Sequence, residues 1–246
     1  MMTHSSNLCA ATLALVGIGF ACGVTLAIAS TVLPFSANAP SATLPDQYRI
    51  LRIPKTNANK FSLVEDAGVT VLRVDSNDSA GTVALPLSVD PKVTSHLAWR
   101  WKINRVVEAA DTSKKSGDDY AARVYVLFDV PLESLPFSER VKIRMARVVA
   151  GNDVPTAALC YVWNNKTPVG IRHWSPYTTR VHILTLQSGN TNADTWIDEK
   201  HDVAADFRAA FGTAAPRIVG VAVGNDTDQT NESVTAWFGD VSFQAR

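Results

Sequence analysis

Two acidic groups and one arginine carry the side chains best suited to chemistry in this sequence. Asp118 and Asp119 head the segment DDYAARVYVLFD, with Arg123 four residues after Asp119. Asp226, Asp228, Asn231 and Glu232 follow one another in NDTDQTNE. The second group offers hard oxygen atoms at close spacing, the ligand type that calcium takes. It lacks the glycine and the twelfth-position glutamate of an EF-hand loop, and a polar turn accounts for the same residues. Asp119 with Arg123 suits either a polar ligand or a partly buried ion pair that orders a loop. Asp118 and Asp119 point to opposite faces if extended, so at most one of them pairs with Arg123. Asp119 with Asp226 or Asp228 could also serve a polysaccharide hydrolase or lyase, since glycosidases set two carboxyl groups about 5 to 10 Å apart across the scissile bond. A third group is aromatic. Tyr161, Trp163, Asn164, Trp174 and Tyr177 flank a stretch containing Pro and Gly, and rings with an amide can stack on a sugar and hydrogen-bond it.

Other chemistries lack their motifs. His96, His173, His182 and His201 are scattered without a zinc spacing, no Gly-x-Ser-x-Gly elbow occurs, and no glycine-rich phosphate loop is present. The formal net charge is +0 with both signs mixed, which excludes the basic stripe that nucleic acid requires. Cys9 and Cys22 lie in the apolar leader, leaving Cys160 as the single thiol of the remaining chain. It falls inside a strand pattern and reads as a small core residue. No cofactor is called for beyond a structural Ca²⁺ on the acidic loop.

The elements that position these groups are mainly strands. In DDYAARVYVLFD, Ala122, Val124, Val126 and Phe128 share one face and Arg123, Tyr125, Leu127 and Asp129 the other, the period of a half-buried strand. LAWRWKI places Leu97, Trp99, Trp101 and Ile103 on one apolar face. Further strands are expected at 48–53, 61–65, 69–75, 81–87, 157–163, 179–187, 217–223 and 236–244. Two helices interrupt them. One lies within 132–151, with Val141, Met145, Val148 and Val149 at helical spacing and Gly151 as its stop. The other spans 202–212, opened by a capping Asp202 and closed by Gly212. Many strands, two short helices and no strand-helix alternation predict an antiparallel β-sandwich of jelly-roll type.

The N-terminal end differs from the rest. Residues 8–29 are apolar or small and uncharged, and a Ser/Ala/Pro-rich stretch follows to residue 42. This composition predicts an export signal with small-x-small cleavage sites ending at Ala29 and Ala39. The run is also long enough for an uncleaved inner-membrane anchor at 8–29. The expected organisation is therefore a leader with linker over 1–42 and one domain over 43–246, periplasmic or secreted, with membrane contact only through the leader.

The blocks LAWRWKI, DDYAARVYVLFD, LCYVW, ADTWIDEKHDVAADFRAAFG, IVGVAVGNDTDQT and AWFGDVSF, in that order, resemble a bacterial family of exported proteins known only as a domain of unknown function. The resemblance covers the chain from about Leu44 onward. It implies a sandwich related to the galactose-binding-like folds of carbohydrate-binding modules, and no settled activity. A non-catalytic module for glycan or another polar envelope ligand is the expected function, with the paired-aspartate hydrolase or lyase as the alternative.

Overall fold

The computed structural model describes residues 30–53, 55–150 and 155–245. Two sheets face each other. The first is built from β1 (Ser30–Leu33), β4 (Lys60–Asp66), β5 (Val69–Asn77), β7 (His96–Ile103), β12 (Ile197–Asp202), β14 (Ser233–Phe238) and β15 (Val241–Gln244). Its strand order is β1-β15-β7-β14-β5-β4, and β12 also pairs with β7. The second contains β2 (Arg49–Leu51), β3 (Asn57–Ala58), β6 (Ser79–Val89), β8 (Tyr120–Phe128), β9 (Ala157–Asn164), β10 (Arg172–Ser175), β11 (Thr178–Ser188) and β13 (Ile218–Asp226). Here the order is β10-β11-β9-β8-β13-β6-β2, with β3 on β6. Among the described residues, pairing is antiparallel except for β9 with β11 and β3 with β6, which run parallel. The expected β-sandwich is the observed one.

The alternation in β8 and β7 sets the interior. Ala122, Val124, Val126 and Phe128 are each 0 % exposed, and they meet Leu97, Trp99, Trp101 and Ile103 from the facing sheet in one core. Indoles bridge the layers: Trp101 lies 5.9 Å from Trp163 and Trp99 5.3 Å from Tyr161, centroid to centroid. Each such ring removes a large apolar area from water. Cys160 is buried on the other face of its sheet beside Tyr120, Val162 and Ile183. Burial pushes its thiol up to about 12, far from a nucleophilic thiolate.

Helix α1 covers Phe137–Ala150 and α2 covers Val203–Phe211. The side chains of Met145, Val148 and Val149 and the stop at Gly151 lie outside the described residues, as does the leader over 1–29. At α2 the local signals hold. Asp202 accepts from the N–H groups of Ala204 and Ala205, both at 3.1 Å, and Gly212 takes φ +73° at the C-terminal cap. β1 lies within the stretch assigned to the linker. It pairs with β15, and Leu33 and Phe35 are fully buried, so residues from Ser30 onward already contribute to the sandwich.

Asp206 ties α2 to both sheets. It accepts from Tyr161 Oη at 2.9 Å and Arg172 Nη2 at 2.8 Å, and His201 Nδ1 lies 3.6 Å away. Burial disfavours the charged imidazole, but the Asp206 and Glu199 carboxylates outweigh it and hold His201 up to about 9. A folded value above the ordinary 6.5 means that this stabilisation is fully present below about pH 6.5 and lost as pH rises through about 9. The expected loss is about 3 kcal/mol. Urea unfolding at pH 6 and pH 10 should show it in the wild type and much less of it in His201→Gln.

Candidate binding site on an outer sheet face

The outward face of the second sheet carries a groove of about 960 Å³. Register accounts for its shape residue by residue. Tyr125 on β8 pairs with Ala222 on β13, Ala222 with Ala84 on β6, and Ala84 with Arg49 on β2. The next row reads Arg123, Gly224, Thr82, Leu51 in the same strand order. The two middle strands thus present small side chains, and the two outer strands present large ones. At roughly 4.8 Å per strand the walls stand about 14 Å apart at the backbone. Gly224 is required by the close approach of β6: a Cβ there would come within 2.3 Å of the Gly81 carbonyl oxygen.

One end of the groove is closed by Arg123 and Asp226. Arg123 is 8 % exposed and donates from Nε to Asp226 Oδ1 at 2.9 Å and from Nη2 to Asp226 Oδ2. Its Nη1 donates to the Tyr125 hydroxyl at 2.9 Å, Nη2 also reaches the Asp118 carbonyl, and the guanidinium stacks 4.3 Å from the Tyr120 ring. Asp226 accepts the Tyr120 N–H as well. Its backbone belongs to β13, pairing with Ala80 and Tyr120, rather than to the acidic loop. Arg123 therefore pairs with neither Asp118 nor Asp119 through their carboxylates. Asp119 accepts instead from Gln229 N–H at 3.1 Å and Thr230 Oγ1 at 2.8 Å. Burial pushes the Asp118, Asp119 and Asp226 carboxyls up, and Asp226 reaches about 7 although Arg123 pulls it the other way.

Of the four expected calcium ligands, the fold brings only Asp226 and Asp228 together, and it adds Asp119. Single carboxylate oxygens of these three lie within 4.8 Å of one another. Glu232 turns away to Arg105 Nη1 at 2.6 Å and the Ala109 N–H at 2.8 Å. Asn231 is an exposed turn residue at φ +57°. The physical reason is competition: Arg105 and a free N–H group satisfy Glu232 locally, and Arg123 supplies a cation to Asp226.

The aromatic group is dispersed. Tyr161 and Trp163 face the core at 0 % and 1 % exposure, and Trp163 donates from Nε1 to the Gly189 carbonyl. Asn164 is buried and accepts from the Lys166 and Thr167 N–H groups. Trp174 stacks edge-on against His182 and Phe211, whereas Tyr177 is 55 % exposed and donates to the Lys115 carbonyl. They form no common platform, because β9 sits between β8 and β11 with both faces covered. The residues that do line the groove had one sequence signal, the alternation of Gly220, Ala222 and Gly224 with Val219, Val221 and Val223. Small residues at period two mark a strand face that something approaches closely.

Residues 46–242 match the family model described as "Protein of unknown function (DUF3047)". No curated protein sequence matches the chain. Among solved structures, the xyloglucanase domain of NopAA from Sinorhizobium fredii in complex with cellobiose is 10 % identical, with a TM-score of 0.45 over 83 % of this chain and 95 % of that one. The family GH12 endoglucanase 3 of Trichoderma harzianum is 8 % identical, with a TM-score of 0.43 over 90 % and 99 %. The family 30 carbohydrate-binding module of a Clostridium thermocellum cellulosomal cellulase is 11 % identical, with a TM-score of 0.34 over 89 % and 98 %.

Proposed function

The chain belongs to the DUF3047 family, and we propose that it is an exported, non-catalytic glycan-binding protein whose ligand lies in the groove on the second sheet. The observation that carries this reading is the groove itself. Its floor of Ala84, Ala222 and Thr82 admits a flat ring close to the backbone, while Tyr125 and Arg49 stand on opposite walls. Pockets for small organic ligands combine such apolar surface with a few placed polar groups.

The placement of carboxylates supports binding over hydrolysis. Asp119 is 1 % exposed and does not line the groove. Asp226 and Asp129 do line it, but Asp226 is level with Tyr120, nine residues along β8 from Asp129. At about 3.3 Å per residue that is about 30 Å, well beyond the 5 to 10 Å of a glycosidase pair.

Ala84→Phe fills the floor from an outward position. Affinity electrophoresis in gels containing soluble β-glucan or xylan should show retardation of the wild type. The variant should bind at least roughly tenfold more weakly, about 1.4 kcal/mol, with a near-wild-type melting temperature. Equal retardation of a folded variant would remove the groove as the site.

A further inference from the structure

The opposite face of the sandwich carries a second hollow, of about 480 Å³, on the outward side of the first sheet. Lys200, Ala98 and Ser242 lie side by side across β12, β7 and β15, so two small side chains make its floor. Asp198 pairs with Arg100 one step further along. Asp240 closes the other side and is held by the Ser36 N–H at 2.9 Å and the Ser36 hydroxyl at 2.5 Å.

The hollow therefore mixes cationic donors, Arg100 and Lys200, with the carboxylate acceptors Asp198 and Asp240. A free anion entering it meets the carboxylates, and a free cation meets the two basic groups. A neutral polyol suits both kinds of neighbour, because each hydroxyl donates one hydrogen bond and accepts others.

Aromatic surface continues from this point. The Arg100 guanidinium lies 4.5 Å from the Trp196 ring. Trp237 pairs with Arg73 on one side and Lys102 on the other, and the Lys102 ammonium sits 4.8 Å from Trp237 and 5.1 Å from Trp196. Both indoles are only partly buried. The cations fix the rings in place. From Ala98 to Lys102 the strand advances about 13 Å.

We propose that this strip is a second saccharide subsite. A neutral polysaccharide chain lies along the outer face of β7, with one sugar ring in the hollow between Arg100, Asp198 and Asp240 and the following rings against Trp196 and Trp237. The proposal rests on the glycan reading of the groove and extends it. Because the two sites occupy opposite outer faces, one molecule holds two glycan chains and cross-links them, and its apparent affinity for a polymer gains from bivalency.

The experiment uses the protein from Ser30 onward with soluble β-glucan and xylan, measuring affinity electrophoresis and turbidity of protein–polymer mixtures. Ala98→Phe blocks the hollow, and Arg100→Gln with Lys200→Gln removes its donors from a half-buried and an exposed position in case the first variant fails to fold. Ala84→Phe blocks the groove. Each single-site variant should keep residual retardation, weaker than the wild type by about tenfold or more because bivalency is lost, and lose turbidity, and blocking both sites should abolish retardation. If the folded hollow variants cross-link as the wild type does, or if Ala84→Phe alone abolishes all binding, the second subsite is overturned and the groove reading stands. If the wild type binds neither polymer, both readings fall.

Discussion

Arg123→Met is expected to lower the unfolding free energy by about 3–5 kcal/mol at pH 8, the cost of stranding a buried charge. Asp226 is 8 % exposed and spends both carboxylate oxygens on this guanidinium. The Asp118 carbonyl and Tyr125 hydroxyl lose a donor with it, and Asp119 and Asp228 remain close by without the arginine between them and neutrality. The deficit should shrink on acidification. Burial already pushes Asp226 up to about 7, above the 3.9 of an unfolded aspartate. The folded state therefore holds more protons than the unfolded one between about pH 4 and 7, and stability falls as pH rises through that window. Without Arg123 the carboxyl moves further up and the window of falling stability extends to higher pH. Urea titrations of wild type and variant at pH 5 and pH 8 check both parts. Arg123→Met with Asp226→Leu should recover most of the loss, since an apolar pair replaces a stranded charge. A deficit below about 1 kcal/mol at pH 8 would mean that the pair is solvated like a surface bridge.

The second large effect is expected at the N-terminal end. A chain beginning at Pro40 should be less stable by about 3–6 kcal/mol than one beginning at Ser30, because Leu33 and Phe35 are both fully buried and each contributes about 1.5–3 kcal/mol by leaving water. The shorter chain also strips β1 from β15 and removes Ser36 from Asp240. Of the two small-x-small sites, cleavage after Ala29 leaves the sandwich whole, whereas cleavage after Ala39 removes its first strand. N-terminal sequencing of the protein expressed from the full chain should read Ser30. Denaturation midpoints of the two truncated chains test the energetic half, and equal midpoints would show that β1 contributes nothing.

Local chemistry was legible in the amino-acid sequence wherever a signal and its effect lie within a few residues. The two-residue period of β8 determined which side chains face the core, since neighbouring Cβ atoms in a strand must point to opposite faces. Asp202 and Gly212 bounded α2 because a cap acts on the adjacent turn. The Trp99 and Trp101 pair declared a core face in the same way. Tertiary structure alone decided which residues meet across long separations. Arg123 had nearby candidates in Asp118 and Asp119, yet its partner is Asp226, 103 residues on, because β13 pairs with β8 in a register that sets them together. Alternation also left open which face of β9 would meet the other sheet. Tyr161 and Trp163 face inward against Trp99 and Trp101, which removed them as a platform for sugar. The groove shows the limit most clearly: Gly220, Ala222 and Gly224 were visible as small residues, but a trough exists only because β6 brings Thr82 and Ala84 alongside them, while β8 and β2 raise Tyr125 and Arg49 at its margins. Its shape is a property of four strands in register, and no single strand contains it.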